Sequence, residues 1–205
     1  MNENERSAAR NDDARERALN EAEKIFARKG FAATKLRDIA SALGLSHAAL
    51  YYHFPGGKEE LSAAVMERNI LRHGAGLAAA IQGGGGTLRG KLRGSAAWLL
   101  SQPPLDLIRM AETDLPALPE EVSRRLMVLL FEEMIVRLRT VLRNAAAAGE
   151  IAAATDAGLV AGAFIGLVES LHSAPRIAVE RPRGEMANDL IDILLKGLDY
   201  QEGES

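Results

Sequence analysis

Residues 30–61 read GFAATKLRDIASALGLSHAALYYHFPGGKEEL, and this stretch decides the fold class. Thr34 is positioned to cap a helix in which Leu36, Ile39, Ala40 and Leu43 keep the i, i+3, i+4, i+7 stripe of an amphipathic helix. Gly44 then breaks the pattern, and Ser46 is positioned to cap a short helix, HAALYYHF, whose Leu50 and Phe54 face inward. Pro55, Gly56 and Gly57 turn the chain again. The result is helix, tight glycine turn, helix. The second helix carries Ala48, Ala49 and two adjacent tyrosines, a size suited to a groove roughly 12 Å wide with polar side chains reaching outward.

On the N-terminal side, Ala18, Ala22, Ile25 and Phe26 recur at spacings of three and four, which predicts a helix over 13–29 that Gly30 stops. Residues 1–12 lack apolar periodicity and are expected as a disordered tail. Charge is distributed unevenly. Between Lys24 and Lys58 there are six basic residues and one acid, Asp38, whereas the whole chain has a net charge of -3. A basic segment on an acidic body favours contact with a polyanion through that segment alone.

The quoted run resembles the DNA-binding domain of TetR-type transcriptional regulators. The shared pattern is Gly-aromatic, Thr, Asp-Ile-Ala, a glycine turn, Ser, Leu-Tyr, His-Phe and Lys-Glu in fixed register. HFPGGKEEL looks most like the LmrA/YxaF-type branch, in which the link from Phe54 to Lys58 is one residue longer than in most relatives. Lys35 stands where a second Thr is usual, and Ala48 where Gly is common. The resemblance implies that the third helix lies in the major groove, while the second helix and the start of the fourth touch phosphates. Residue chemistry divides the candidates accordingly. Lys35, Arg37, Tyr51, His53 and Lys58, with the helix-opening amides at Thr34 and Ser46, suit phosphate contact. His47, Ala48, Ala49 and Tyr52 are left as candidate base readers, because imidazole bonds a purine edge and an alanine methyl meets a thymine methyl.

From Lys58 a long helical pattern runs to Gln82 and stops at Gly83, Gly84, Gly85 and Gly86. Tilting such a connector changes the separation of two readers in a dimer. Further helices are expected over 87–101, 105–115, 119–148, 155–174 and 184–200, between breaks at Pro103, Pro104, Pro116, Pro119, Gly149 and Pro175. The expected architecture is therefore all-α: a tail at 1–12, a three-helix helix-turn-helix domain at 13–60, and a helical effector-binding and dimerisation domain at 61–205. Gly158, Gly162 and Gly166 recur every four residues on one helical face, and Leu190, Ile191, Leu194, Leu195 and Leu198 form a wide stripe on the last helix. The resemblance implies a homodimer through these two helices, with Gly158, Gly162, Gly166, Leu190, Leu194 and Leu198 at its interface. Such a dimer reads a palindromic operator with half-sites about 34 Å apart.

Met127, Phe131, Met134 and Leu138 share one helical face. Trp98, Met110, Phe164 and Val168 can converge on it as an adaptable apolar effector cavity, with Arg109 as a polar orienting group. Plain core packing explains the same stripe. No phosphate loop, nucleophile elbow, HExxH or paired metal-ligand spacing is present. With no cysteine, thiolate and disulfide chemistry are excluded. No catalytic residue, cofactor or metal is expected; a site built from His73, His172, Glu112 and Asp114 is a weak rival. The absence of an apolar leader or an apolar run of roughly 18 residues leads to the expectation of a cytoplasmic protein without membrane contact. The sequence thus reads as a regulator, and as a repressor released from double-stranded DNA by a small, largely apolar effector. The alternatives are a helical enzyme retaining a DNA-binding module and a regulator governed by a partner protein.

Overall fold

The computed structural model describes residues 3–31, 33–104, 110–173 and 181–198, with residues 3–12 and 111 described by backbone alone. Among the described residues every regular element is a helix. They divide into two compact units, one of Met1–Asn69 with Ile108–Val128 and one of Ile70–Leu107 with Leu129–Ser205. The expected boundary between residues 60 and 61 falls inside a continuous helix.

In the first unit, α1 spans Glu3–Lys29. It begins ten residues before the expected start at Asp13, and so the segment 3–12 is helical in backbone rather than a tail. The reason is compositional. Glu, Arg and Ala are strong helix formers, and no Gly or Pro interrupts them. Gly30 ends α1 with a φ of 76°, the left-handed cap that glycine adopts without a Cβ clash. Ala18, Ala22 and Ile25 of α1, Ile39 of α2 (Leu36–Ala42), Leu50 of α3 (His47–His53) and Leu61 of α4 (Gly57–Gly83) form the buried core. Arg68 of α4 ties back to α1 through Glu23 at 2.6 Å and Glu16 at 3.1 Å.

Helix capping differs from expectation at one end. Thr34 does not cap α2. Its buried hydroxyl donates to the Gly30 carbonyl at 2.7 Å, locking the turn, while the Asp38 carboxylate accepts from the Lys35 amide at 3.2 Å. Ser46 does cap α3, accepting from the Ala49 amide at 3.1 Å. The segment expected as a helix over 105–115 is a single π-helical turn where described, Met110–Asp114. Leu115, Leu118 and Leu126 are buried after it, the last on α6 (Glu120–Leu130), and Arg125 reaches Glu67 at 2.7 Å.

The second unit holds the rest of α4, α5 (Leu88–Ser101), α7 (Arg137–Ala147), α8 (Ala157–Ser170) and α9 (Arg183–Leu198). Thr87 caps α5 through the Gly90 amide, and Asp156 caps α8 through the amides of Gly158 and Leu159. Arg89 of α5 pairs with Asp192 of α9. The single helix expected over 119–148 is interrupted by a π-helical segment, Phe131–Val136. The wider turn changes which residues share a face.

Candidate nucleic-acid interface

Two fully buried side chains, Leu50 and Phe54, fix the orientation of α3. With that face pinned, His47, Ala48, Tyr51 and Tyr52 turn to solvent, and Ala49 is half-buried. Tyr52 is 74% exposed, high for so large an aromatic side chain. The His47 ring meets Tyr51 edge-on at 5.1 Å, and His53 meets Tyr52 at 5.3 Å. Tyr51 also lies against Gly57, where an added Cβ would approach the phenol ring to 3.3 Å. These contacts leave both tyrosines exposed. The face combines hydrogen-bonding tips, a small methyl surface at Ala48 and no acidic side chain of its own.

Beside it, Lys35 and Arg37 are exposed at the start of α2, as is Ser46 at the start of α3. Phosphate contact needs donors placed so. His53 is half-buried, and its Nδ1 is enclosed without a hydrogen-bond partner. Lys58 is half-buried at the start of α4, its ammonium 4.2 Å from the Phe31 ring centroid. Burial there lowers its pKa from the usual lysine value, against the opposing effect of Glu59 and Asp114. The aromatic residue after Gly30 was visible in the sequence, but its cation–π attraction for Lys58 was not. Another such contact escaped the sequence reading, between Arg15 of α1 and the Phe54 ring at 5.1 Å.

The expected effector residues fall in both units. In the second unit Met134, Phe164 and Val168 are buried, and Trp98 is half-buried against Gly76 of α4. Phe131 of the same unit is 47% exposed. In the first unit Met110 is buried and Met127 is 42% exposed. Met127 and Phe131 therefore do not share a buried face with Met134, because the chain enters the π-helical segment at Phe131. Arg109 lies outside the described residues. A groove of about 530 Å³ opens beneath this segment, with Ile81, Glu132, Val136 and Arg137 among its walls. Arg137 there is held by Glu133. The six expected interface residues divide by exposure: Gly166 is exposed, whereas Gly158, Gly162, Leu190, Leu194 and Leu198 are half-buried. Among the described residues no three His, Asp or Glu side chains gather as a metal site, and no helix is long and apolar enough to cross a membrane.

The family model for "Bacterial regulatory proteins, tetR family" matches residues 18–65, which contain α2 and α3. The HTH-type transcriptional regulator LmrA of Bacillus subtilis (strain 168) is 44% identical over 50 residues, 24% of this chain and 27% of that protein. The chain thus spans about a quarter of that relative's length. The TetR-family transcriptional regulator PfmR of Thermus thermophilus superposes with a TM-score of 0.63 at 27% identity, covering 89% of this chain and 99% of that one. AibR, solved in complex with isovaleryl coenzyme A and operator DNA, has a TM-score of 0.72 at 19% identity, covering 88% and 97%. The all-helical fold is shared along most of the chain.

Proposed function

From the match of residues 18–65 to the TetR family of bacterial regulatory proteins we propose that this chain is a TetR-type, homodimeric transcriptional repressor released by a small effector. The observation that carries this reading is the solvent-facing row His47, Ala48, Tyr51 and Tyr52 on a helix pinned from behind by Leu50 and Phe54. In this reading α3 enters the major groove, Ala48 and His47 meet base edges, and Lys35, Arg37 and the capped start of α3 hold phosphates.

A seven-residue helix reads few bases alone, which favours two copies on a palindrome. An exposed apolar face on the last two helices supports the pairing: Leu159 is 71% exposed and Ile193 66%, with Gly166 open between Leu159 and the end of α8. Such a patch on a soluble surface marks an interface. The effector enters the second unit near Phe131–Val136, since π-helical segments inside α-helices recur at functional sites. Release follows from linkage: a ligand that prefers the DNA-incompetent state lowers operator affinity by the ratio of its two affinities. PfmR and AibR share the fold, and the AibR structure pairs an acyl thioester with operator DNA.

The test is selection of genomic fragments by the purified protein, followed by binding of the best fragment across salt concentrations. Enrichment of a palindrome, with affinity falling steeply as salt rises, is the expected result. Binding that is indifferent to sequence would overturn the reading.

A further inference from the structure

We propose that the groove between α7 and the start of α8 binds a small organic anion, a carboxylate or phosphate monoester carrying a short apolar group. It lies within the second unit and shares no lining residue with the Phe131–Val136 groove. Its volume is about 540 Å³, and Arg139, Arg143, Thr155 and the alanines at 146, 153 and 157 are among its walls. Arg139 and Arg143 stand one turn apart on α7, so both guanidinium groups serve one face. Arg139 is held in place, its guanidinium 5.6 Å from the Phe131 ring centroid. Its Nε is enclosed and lacks a hydrogen-bond partner.

Among the described residues neither arginine pairs with a neighbouring acid. Asp156 lines the groove, but one of its oxygens takes the amides of Gly158 at 2.9 Å and Leu159 at 3.0 Å. The amides of Gly158 and Leu159 are thereby engaged, and the attraction for an anion comes from the two arginines. Glu150 turns away to the Leu88 amide at 3.1 Å, and Glu133 is engaged by Arg137. Two cations against one carboxylate leave the groove net positive. A guanidinium matches the two oxygens of a carboxylate or phosphate with paired N–H donors. The alanine side chains leave room for an apolar group of a few carbons, and present no polar atom to it.

The experiment is calorimetric titration of the full-length protein at low salt with butyrate, butyl phosphate, inorganic phosphate and butylamine. Butyrate or butyl phosphate saturating one site per chain is the expected result, the responding probe distinguishing the carboxylate from the phosphate ester. Arg139→Gln and Arg143→Gln should each weaken that binding about tenfold or more, and Arg139→Lys should restore only part, because lysine lacks the planar fork. Arg143 is exposed, so its variant tests the site without threatening the fold. No heat from either organic anion at about 10 mM, binding unchanged in both variants, or equal affinity for inorganic and butyl phosphate would each overturn the proposal. So would conversion of a dimer to monomers by these substitutions, which would make the arginines part of a protein interface.

Discussion

Tyr52 and Lys58 occupy neighbouring turns and have opposite relations to the fold. Tyr52 projects into solvent, and nothing in the core rests on it. Tyr52→Ala should therefore leave unfolding free energy within about 0.5 kcal/mol of the parent. Operator affinity should fall about tenfold or more if the ring reads a base or holds a phosphate. Denaturation and equilibrium binding on the same preparation separate the two effects. Lys58, seated over Phe31, should behave differently: Lys58→Ala removes a cation–π contact and should destabilise by about 0.5–1 kcal/mol. A third residue links fold to pH. Burial lowers the pKa of His172 and Arg183 acts in the same sense, outweighing its hydrogen bond to the Leu99 backbone. A histidine depressed in the fold stays neutral there while the unfolded chain protonates. Its contribution to stability is thus present above the unfolded value near 6.5 and is lost as pH falls through the lower folded one. Urea unfolding at about pH 7.5 and 5.5 should show that loss, and His172→Gln should flatten it; an unchanged slope in the variant would assign the pH dependence elsewhere.

At the level of elements, α4 shows why part of the structure was legible in the sequence and part was not. Its limits were readable, because Gly57 and the run from Gly83 punctuate an otherwise helical pattern. The turns at Gly30 and Gly44 and the cap at Ser46 were readable for the same reason: each is a local rule carried by one residue. Gly74 and Gly76 in the middle of α4 were not, since each weakens a helix by about 1 kcal/mol without local benefit. Their cause is tertiary. A Cβ on Gly76 would collide with the Trp98 indole, and one on Gly74 would collide with Glu133. Gly76→Ala should thus destabilise the protein by about 1–3 kcal/mol despite its better helix propensity. A Trp98→Leu background should relieve the penalty, which thermal or chemical unfolding of the double-mutant cycle would reveal. The π-helical segment was hidden for a related reason. Nothing in FEEMIV forbids an α-helix, so periodicity assigned Met127, Phe131 and Met134 to one face, and the extra residue in the turn separated them. The exposure of the candidate DNA-contact residues was more legible than that of the candidate effector residues because α3 is short and pinned by two buried side chains.

In the proposed function the decisive property of the whole molecule is the pairing of chains, because the spacing of two α3 helices would set which DNA is read. The exposed stripe on α8 gives a test in which fold and assembly respond with opposite signs. Among the described residues, beyond its chain neighbours and its own helix backbone, Gly166 has no atom within 4 Å of an added Cβ, and at Gly162 the nearest is the Ile135 Cδ1 at 4.0 Å. A leucine at 166 thus meets open space within its own chain and gains about 0.8–1 kcal/mol of helix propensity over glycine. A monomeric protein should accept Gly166→Leu as neutral or stabilising. A dimer that brings α8 close to its counterpart should reject it, since the added side chain fills the space the partner helix needs. Sedimentation velocity is expected to show the parent as a dimer and the variant as a folded monomer with unchanged helical content. Operator affinity should then drop in the variant while the residual, nonspecific binding keeps its dependence on salt. An unaltered dimer with unaltered operator binding would move the interface off this face of α8 and leave Leu159 and Ile193 to be explained by another partner.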